Sequence, residues 1–147
     1  MGNAGLAGGN QAMTRLLDVN ALFALVWRAH EHHRVARKWF RQNRDFATCP
    51  LTQLAFLRLS TNPAIGWELY LRSARAALAD LVSLRGHHFW PDDVEVLESL
   101  PLARTPDDLT DGYLAALAKA HQGCLATFDA GISRLPAIDP SCVEVIG

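Results

Sequence analysis

Three aspartates carry the chemistry this sequence points to. Asp18 closes the run Thr14-Arg15-Leu16-Leu17-Asp18-Val19-Asn20, Asp111 opens Thr110-Asp111-Gly112-Tyr113-Leu114-Ala115-Ala116-Leu117-Ala118, and Asp129 closes Leu125-Ala126-Thr127-Phe128-Asp129. Each stands at the end of an apolar segment or in the first turn of a helical one, where a fold can aim a carboxylate into a shared cleft. Hard oxygen donors gathered in this way suit Mg²⁺ or Mn²⁺. A divalent ion held there is expected to activate water and stabilise charge on a departing oxygen, as phosphodiester hydrolysis requires. Taken singly, Asp111 reads as a helix-dipole residue behind a Thr110 cap, and Asp129 as a turn residue before Gly131. The metal reading rests on the three together. Asp107 and Asp108 add a more distant charge only if the helix of Asp111 starts early, at Pro106; with Thr110 as the cap they lie in a loop.

Other reactive side chains point elsewhere. The histidines do not lie at ligand spacing to Cys49, Cys124 or Cys142, so no zinc site is expected. Glu31, His32 and His33 read as solvated or helix-capping. His87 and His88 would face opposite sides of a strand, with a structural or partner role. Of the 14 cations, all but Lys38 and Lys119 are Arg, whose planar fork suits phosphate. The series Arg34, Arg37, Arg41 and Arg44 reads first as a solvated face, with RNA steering as the functional alternative. Trp27, Trp39, Trp67 and Trp90 are expected in the core or an interface rather than as base-stacking platforms.

Positioning the aspartates calls for alternating strands and helices. The apolar runs predict strands over 15–19, 46–49, 87–90 and 124–127, with an edge strand over 142–146. Helical periodicity falls over 21–27, 32–43, 52–60 and 66–84. A short helix follows Pro91-Asp92-Asp93 up to Leu100, and another runs from Thr110 to about Ala120. Asn62-Pro63 ends the third helix, because the residue before proline is steered away from the α region. This alternation implies an α/β fold with a short parallel sheet flanked by helices and right-handed crossovers. Ligands in such sheets bind beyond the carboxyl ends of the strands, at the topological switch point, which suits Asp18 and Asp129.

The bulk numbers agree with this picture. A length of 147 residues with 50% apolar content fits one domain, taken as residues 13–147. Residues 1–12 are rich in Gly, Ala and Asn; they read as a flexible leader, an expression remnant or an upstream start, with Met13 as an alternative first residue. No apolar run reaches the ~18 residues of a membrane span, and no signal-peptide pattern is present. Three widely spaced cysteines fit reduced thiols in a cytoplasmic protein. A net charge of −1 neither demands nor excludes a nucleic-acid partner.

The runs Leu-Leu-Asp-Val-Asn, Thr-Asp-Gly-Tyr-Leu-Ala-Ala-Leu-Ala and Leu-Ala-Thr-Phe-Asp, in this order and spacing, resemble the PIN-domain ribonucleases. More narrowly the chain is similar to the VapC toxins of bacterial toxin–antitoxin pairs, through Pro50 to Pro63 and His87-His88-Phe89-Trp90-Pro91-Asp92-Asp93 as well. The resemblance covers roughly Met13 to the C-terminus. It implies a PIN-like three-layer α/β/α fold and an endoribonuclease using Mg²⁺ or Mn²⁺ on RNA such as tRNA. It also implies a homodimer neutralised by a VapB-type antitoxin. Asp18, Asp111 and Asp129 match the metal-holding acids, Asn20 a polar residue supporting the first of them, and Thr127 a hydroxyl lining the same pocket. One departure stands out. Many PIN nucleases carry a further acid, usually Glu, on the helix after the second strand. Here that helix offers only Gln53 and Arg58, and Gly131 stands where a second Asp can follow Asp129. A one-metal site is therefore expected, and the competing reading is a catalytically weakened PIN fold that binds RNA or antitoxin. A HAD-type phosphatase would need an acid at Asn20.

Overall fold

Among residues 13–135 and 137–147, which the computed structural model describes, five short strands form one parallel sheet. They are β1 (Arg15–Leu17), β2 (Phe46–Thr48), β3 (His87–Phe89), β4 (Cys124–Thr127) and β5 (Val143–Val145), in the spatial order β3-β2-β1-β4-β5. The leader expected over residues 1–12 lies outside the described residues. The chain leaves β1 to build β2 and β3 on one side, then returns to pair β4 on the other, with Leu17 opposite Ala126. The switch point therefore falls between β1 and β4, and their carboxyl ends open the crevice.

The six described α-helices are α1 (Val19–Val26), α2 (His33–Gln42), α3 (Pro50–Ser60), α4 (Leu71–Val82), α5 (Val96–Ser99) and α6 (Leu109–Ala120). They divide between the two sheet faces because adjacent strand residues point opposite ways. Leu17 and Ala126 enter a core with Phe23, Phe40 and Phe56, whereas Leu16 and Leu125 enter a second with Leu114, Leu117 and Trp90. A strand buried on both faces reads as a continuous apolar run, as Leu16-Leu17 and Cys124-Leu125-Ala126 do. The result is the three-layer α/β/α architecture. Burying each Leu or Phe contributes about 1.5–3 kcal/mol. Trp27 stacks on Phe56 and Trp67 on Phe23. At the far edge, Glu144 of β5 takes the Arg15 guanidinium and the Trp39 indole N–H, tying β5 to β1 and α2.

Several expected boundaries move. The long helical pattern over 66–84 becomes a helix only from Leu71, because Gly66 (φ 75°) and Glu68 (φ 53°) adopt left-handed conformations that interrupt helical propagation. The helix expected right after Pro91 forms only over Val96–Ser99. Thr110 is not the cap of α6. A 3₁₀ turn, Pro106–Asp108, runs directly into Leu109, and Asp108 is the cap residue. No helix among the described residues is long and apolar enough to cross a membrane. Cys49 and Cys124 are buried, and burial pushes both thiols up to about 11.

Candidate active site

Strand β1 stops at Leu17 because Asp18 turns the chain into α1. Its extended backbone donates N–H to Ala126 O of β4, while its side chain caps the helix, Oδ1 accepting the Ala21 N–H at 2.7 Å. The other oxygen, Oδ2, accepts the Thr127 hydroxyl. Each carboxylate oxygen thus keeps a lone pair for a ligand. Asp18 is 4% exposed. Burial lifts its pKa, Thr127, Ala21 and the Asn20 backbone pull it back, and the nearby Asp129 adds to the rise. The Asn20 side chain itself is exposed.

Thr127 joins two of the acids. Fully buried at the end of β4, its oxygen donates to Asp18 and accepts the Asp129 N–H at 3.0 Å. Asp129 is exposed, and its Oδ1 accepts the Gly131 N–H at 2.8 Å. A Cβ on residue 131 would stand 3.0 Å from that same oxygen. Gly131, marked in the sequence only as a missing acid, is therefore the residue that seats Asp129.

Asp111 comes from the opposite layer, in the first turn of α6. Its pKa is raised to about 6, by burial first and then by the fields of Asp18, Asp129 and Asp108. These mutual fields bring three segments distant in sequence within electrostatic reach of one another at the carboxyl end of the sheet. Asp108 turns one carboxylate oxygen, Oδ2, back onto the Arg104 and Thr105 N–H groups as a capping box, and its charge adds to the field at Asp111. No hydrogen bond within the described residues ties down the Asp111 carboxylate.

Among the described residues, no three His, Cys, Asp or Glu side chains converge closely enough to hold an ion directly as they stand. The donor chemistry nevertheless fits Mg²⁺ or Mn²⁺. The ligands are all hard oxygens, and Mg²⁺ keeps several waters while taking only one or two carboxylates. The raised Asp111 marks the uncompensated charge that a cation would neutralise.

The helix after β2 supplies no acid. Gln53 Nε2 donates to Thr48 Oγ1 at 2.9 Å, and that oxygen lies 2.7 Å from His87 Nε2. Arg58 is exposed and shares a surface cleft with Val19 and Asn62, next to the residue that follows Asp18. The histidines separate. His33 Nδ1 sits 2.8 Å from Ala24 O and anchors α2 to α1, and His88 pairs with Asp45 at 2.8 Å. His32, read from sequence as solvated or helix-capping, is the exposed N-cap residue of α2 and also stacks on Phe128 with ring centroids 5.1 Å apart. No local pattern signals that contact, because it joins the start of α2 to the end of β4.

Residues 15–138 match the family model described as PIN domain. Ribonuclease VapC38 of Mycobacterium tuberculosis is 44% identical over 124 residues, spanning 82% of this chain and 88% of that protein. Ribonuclease VapC39 of the same species is 41% identical over 128 residues, spanning 82% and 92%. Among solved structures, the crystal structure of PAE2754 from Pyrobaculum aerophilum has the same fold, with a TM-score of 0.60 at 20% identity over 91% of this chain and 85% of that one.

Proposed function

The chain belongs to the PIN-domain family, alongside VapC ribonucleases, and from that premise we propose that it is an endoribonuclease toxin requiring Mg²⁺ or Mn²⁺. Asp18, Asp111 and Asp129 are the acids that hold the ion, directly or through water. The observation that carries this reading is that the Thr127 hydroxyl joins Asp18 to the Asp129 backbone at the carboxyl ends of β1 and β4, with both acids in the field of Asp111. A bound divalent ion supplies Lewis-acid polarisation of a phosphate and a more acidic water. The protein's own contribution is positioning. Asp18 is fixed by Ala21 and Thr127, Asp129 is fixed by Thr127 and Gly131, and Asp111 stays free to turn toward the ligand. Arg58, across the α1–α3 cleft, offers a cation for a substrate phosphate. Structured RNA such as tRNA as substrate, a VapB-type antitoxin, a homodimer and a cytoplasmic setting belong to the same proposal and rest on the family resemblance.

The test is cleavage of total tRNA by the purified protein with Mn²⁺ and with EDTA, beside Asp18→Asn. Cleavage that needs the cation and is lost in the variant supports the proposal. Cleavage that persists in EDTA overturns it. A second reading, a PIN fold that binds RNA or antitoxin without cutting, is favoured by one observation: α3 has a neutral amide at Gln53, turned inward onto Thr48. RNA binding without cleavage under any divalent ion would select it.

A further inference from the structure

The exposed surface of α2 continues outward from the aspartate crevice, and its parts differ in a way the sequence does not display. Arg34, Lys38 and Arg41 follow one another at spacings of four and three residues, so they form a single stripe. All three are exposed, on the side of α2 away from the buried Ala36 and Phe40. No acid among the described residues pairs with any of them within 4.0 Å. The other two arginines of the series are engaged elsewhere. Arg44 lies over the Phe40 ring at 5.2 Å, and Arg37 turns toward α4, lining a groove with Asp80 and Leu81. His32, at the N-cap of α2 two residues before Arg34, stacks on Phe128, and Phe128 is the residue before Asp129. Glu31, a highly exposed acid 3.4 Å from the His32 ring, adds an opposing charge at that end beside those of the crevice.

We propose that this face is a track for single-stranded RNA, with Phe128 and His32 as a base-stacking step at the lip of the crevice and Arg34, Lys38 and Arg41 as its phosphate contacts. The proposal rests on the ribonuclease reading of the aspartates and adds the path by which the strand reaches them. The seven residue steps of helix from Arg34 to Arg41 span ~10 Å. At ~3.4 Å per stacked nucleotide that is about three phosphates, one for each cation. An aromatic face accepts any base, so the step positions the strand without selecting a sequence. The stripe supplies fixed positive charge in a chain whose net charge is −1, which gives a polyanion one preferred line of approach.

The experiment measures binding of a fluorescent single-stranded oligoribonucleotide in EDTA, where the metal-dependent cleavage proposed above does not proceed, at a series of KCl concentrations. The proteins are wild type, the triple variant Arg34→Gln/Lys38→Gln/Arg41→Gln, Phe128→Leu, and Glu31→Gln. Each lost phosphate contact reduces the slope of log K against log salt by about 0.7 on a single strand. The triple variant is thus expected to lose about 2 from the slope and to bind roughly ten- to a hundredfold more weakly at low salt. Phe128→Leu should bind about tenfold more weakly at an unchanged slope, a split that general loss of folding does not produce. Glu31→Gln should bind severalfold more tightly. An unchanged slope in the triple variant, with a Tm equal to wild type, overturns the track. If wild type cleaves tRNA and the slope is unchanged, the ribonuclease reading stands and only the track fails. If wild type neither cleaves nor binds, the ribonuclease reading fails with it.

Discussion

The two halves of the sheet end differently. At the carboxyl ends of β1 and β4, Asp18 and Asp129 meet Asp111, and part of their charge is met by Thr127 and backbone N–H groups while the rest is left as mutual repulsion. Around β2, Thr48, Gln53 and His87 form a closed neutral network. Burial lowers the His87 pKa and keeps that ring uncharged. One half stores unfavourable charge that a cation can relieve; the other has already satisfied its polar groups internally. Binding energy is available where the apo fold is least content, which is why a ligand is expected at β1/β4.

The sharpest break of this contrast is substitution on the charged side. Asp18→Asn keeps the helix cap through its amide oxygen, since Asn is as good a cap as Asp, but removes the charge. RNA cleavage is expected to fall at least about 10³-fold, some 4 kcal/mol of barrier, while the Tm stays close to wild type. Gln53→Ala, on the neutral side, should leave cleavage within about threefold. Comparable losses in both would erase the distinction between the halves.

Thr127→Val tests the joint between two of the acids. Its hydroxyl supports Asp18 and the Asp129 backbone together, so both relax at once. Groups that orient metal ligands typically govern 10–100-fold in affinity, and Mn²⁺ binding by calorimetry should weaken by that amount. The part-buried Asp129 N–H left without its acceptor should also cost up to about 1 kcal/mol in urea unfolding.

The electrostatics give a smaller effect with a defined sign. The Asp111 carboxyl titrates at about 6 in the folded chain, above the ~3.9 of an unfolded Asp. Between those values the native state binds the extra proton, so in EDTA stability falls as pH rises through 4–6 and stays lower above it. Asp111→Asn should remove that dependence and stabilise the EDTA-treated protein by about 1 kcal/mol at pH 7.5, allowing for solvent screening. Adding Mn²⁺ to wild type should recover stability by mass action, and adding it to the variant should not. A pH dependence from 4 to 7 in EDTA that is the same in wild type and in Asp111→Asn contradicts the crowding of acids at this end, because the contribution of the buried His87 is common to both.

Much of this was legible in the sequence, for a physical reason. A strand buried on both faces must be an apolar run, and a residue that caps the following helix must interrupt it, so Leu16-Leu17-Asp18 announces both the strand and the acid. The start of α6 was less legible. The sequence leaves a start at Pro106 or at a Thr110 cap open, and the 3₁₀ turn over Pro106–Asp108 runs straight into the helix with Asp108 as its cap residue. Least legible were contacts set by tertiary packing. The break at Gly66 and Glu68 depends on where Trp67 must go to reach Phe23, and the stacking of His32 on Phe128 joins two elements that no local periodicity links.

The finest test returns an acid to the neutral half. Gln53→Glu replaces the amide that donates to Thr48 Oγ1 with a group that only accepts. Thr48 must then turn its proton toward the new carboxylate, and its oxygen becomes an acceptor facing His87 Nε2. A His87 ring that keeps its hydrogen bond to the Val82 backbone while also donating from Nε2 has to carry both protons. The substitution should therefore raise the His87 pKa, as followed by NMR titration of the ring. Its new charge is partly spent on that imidazolium, so Mn²⁺ affinity should rise by no more than about threefold. A large gain in affinity with an unmoved His87 would mean that residue 53 faces the aspartates directly, and that the two halves of the sheet are one site.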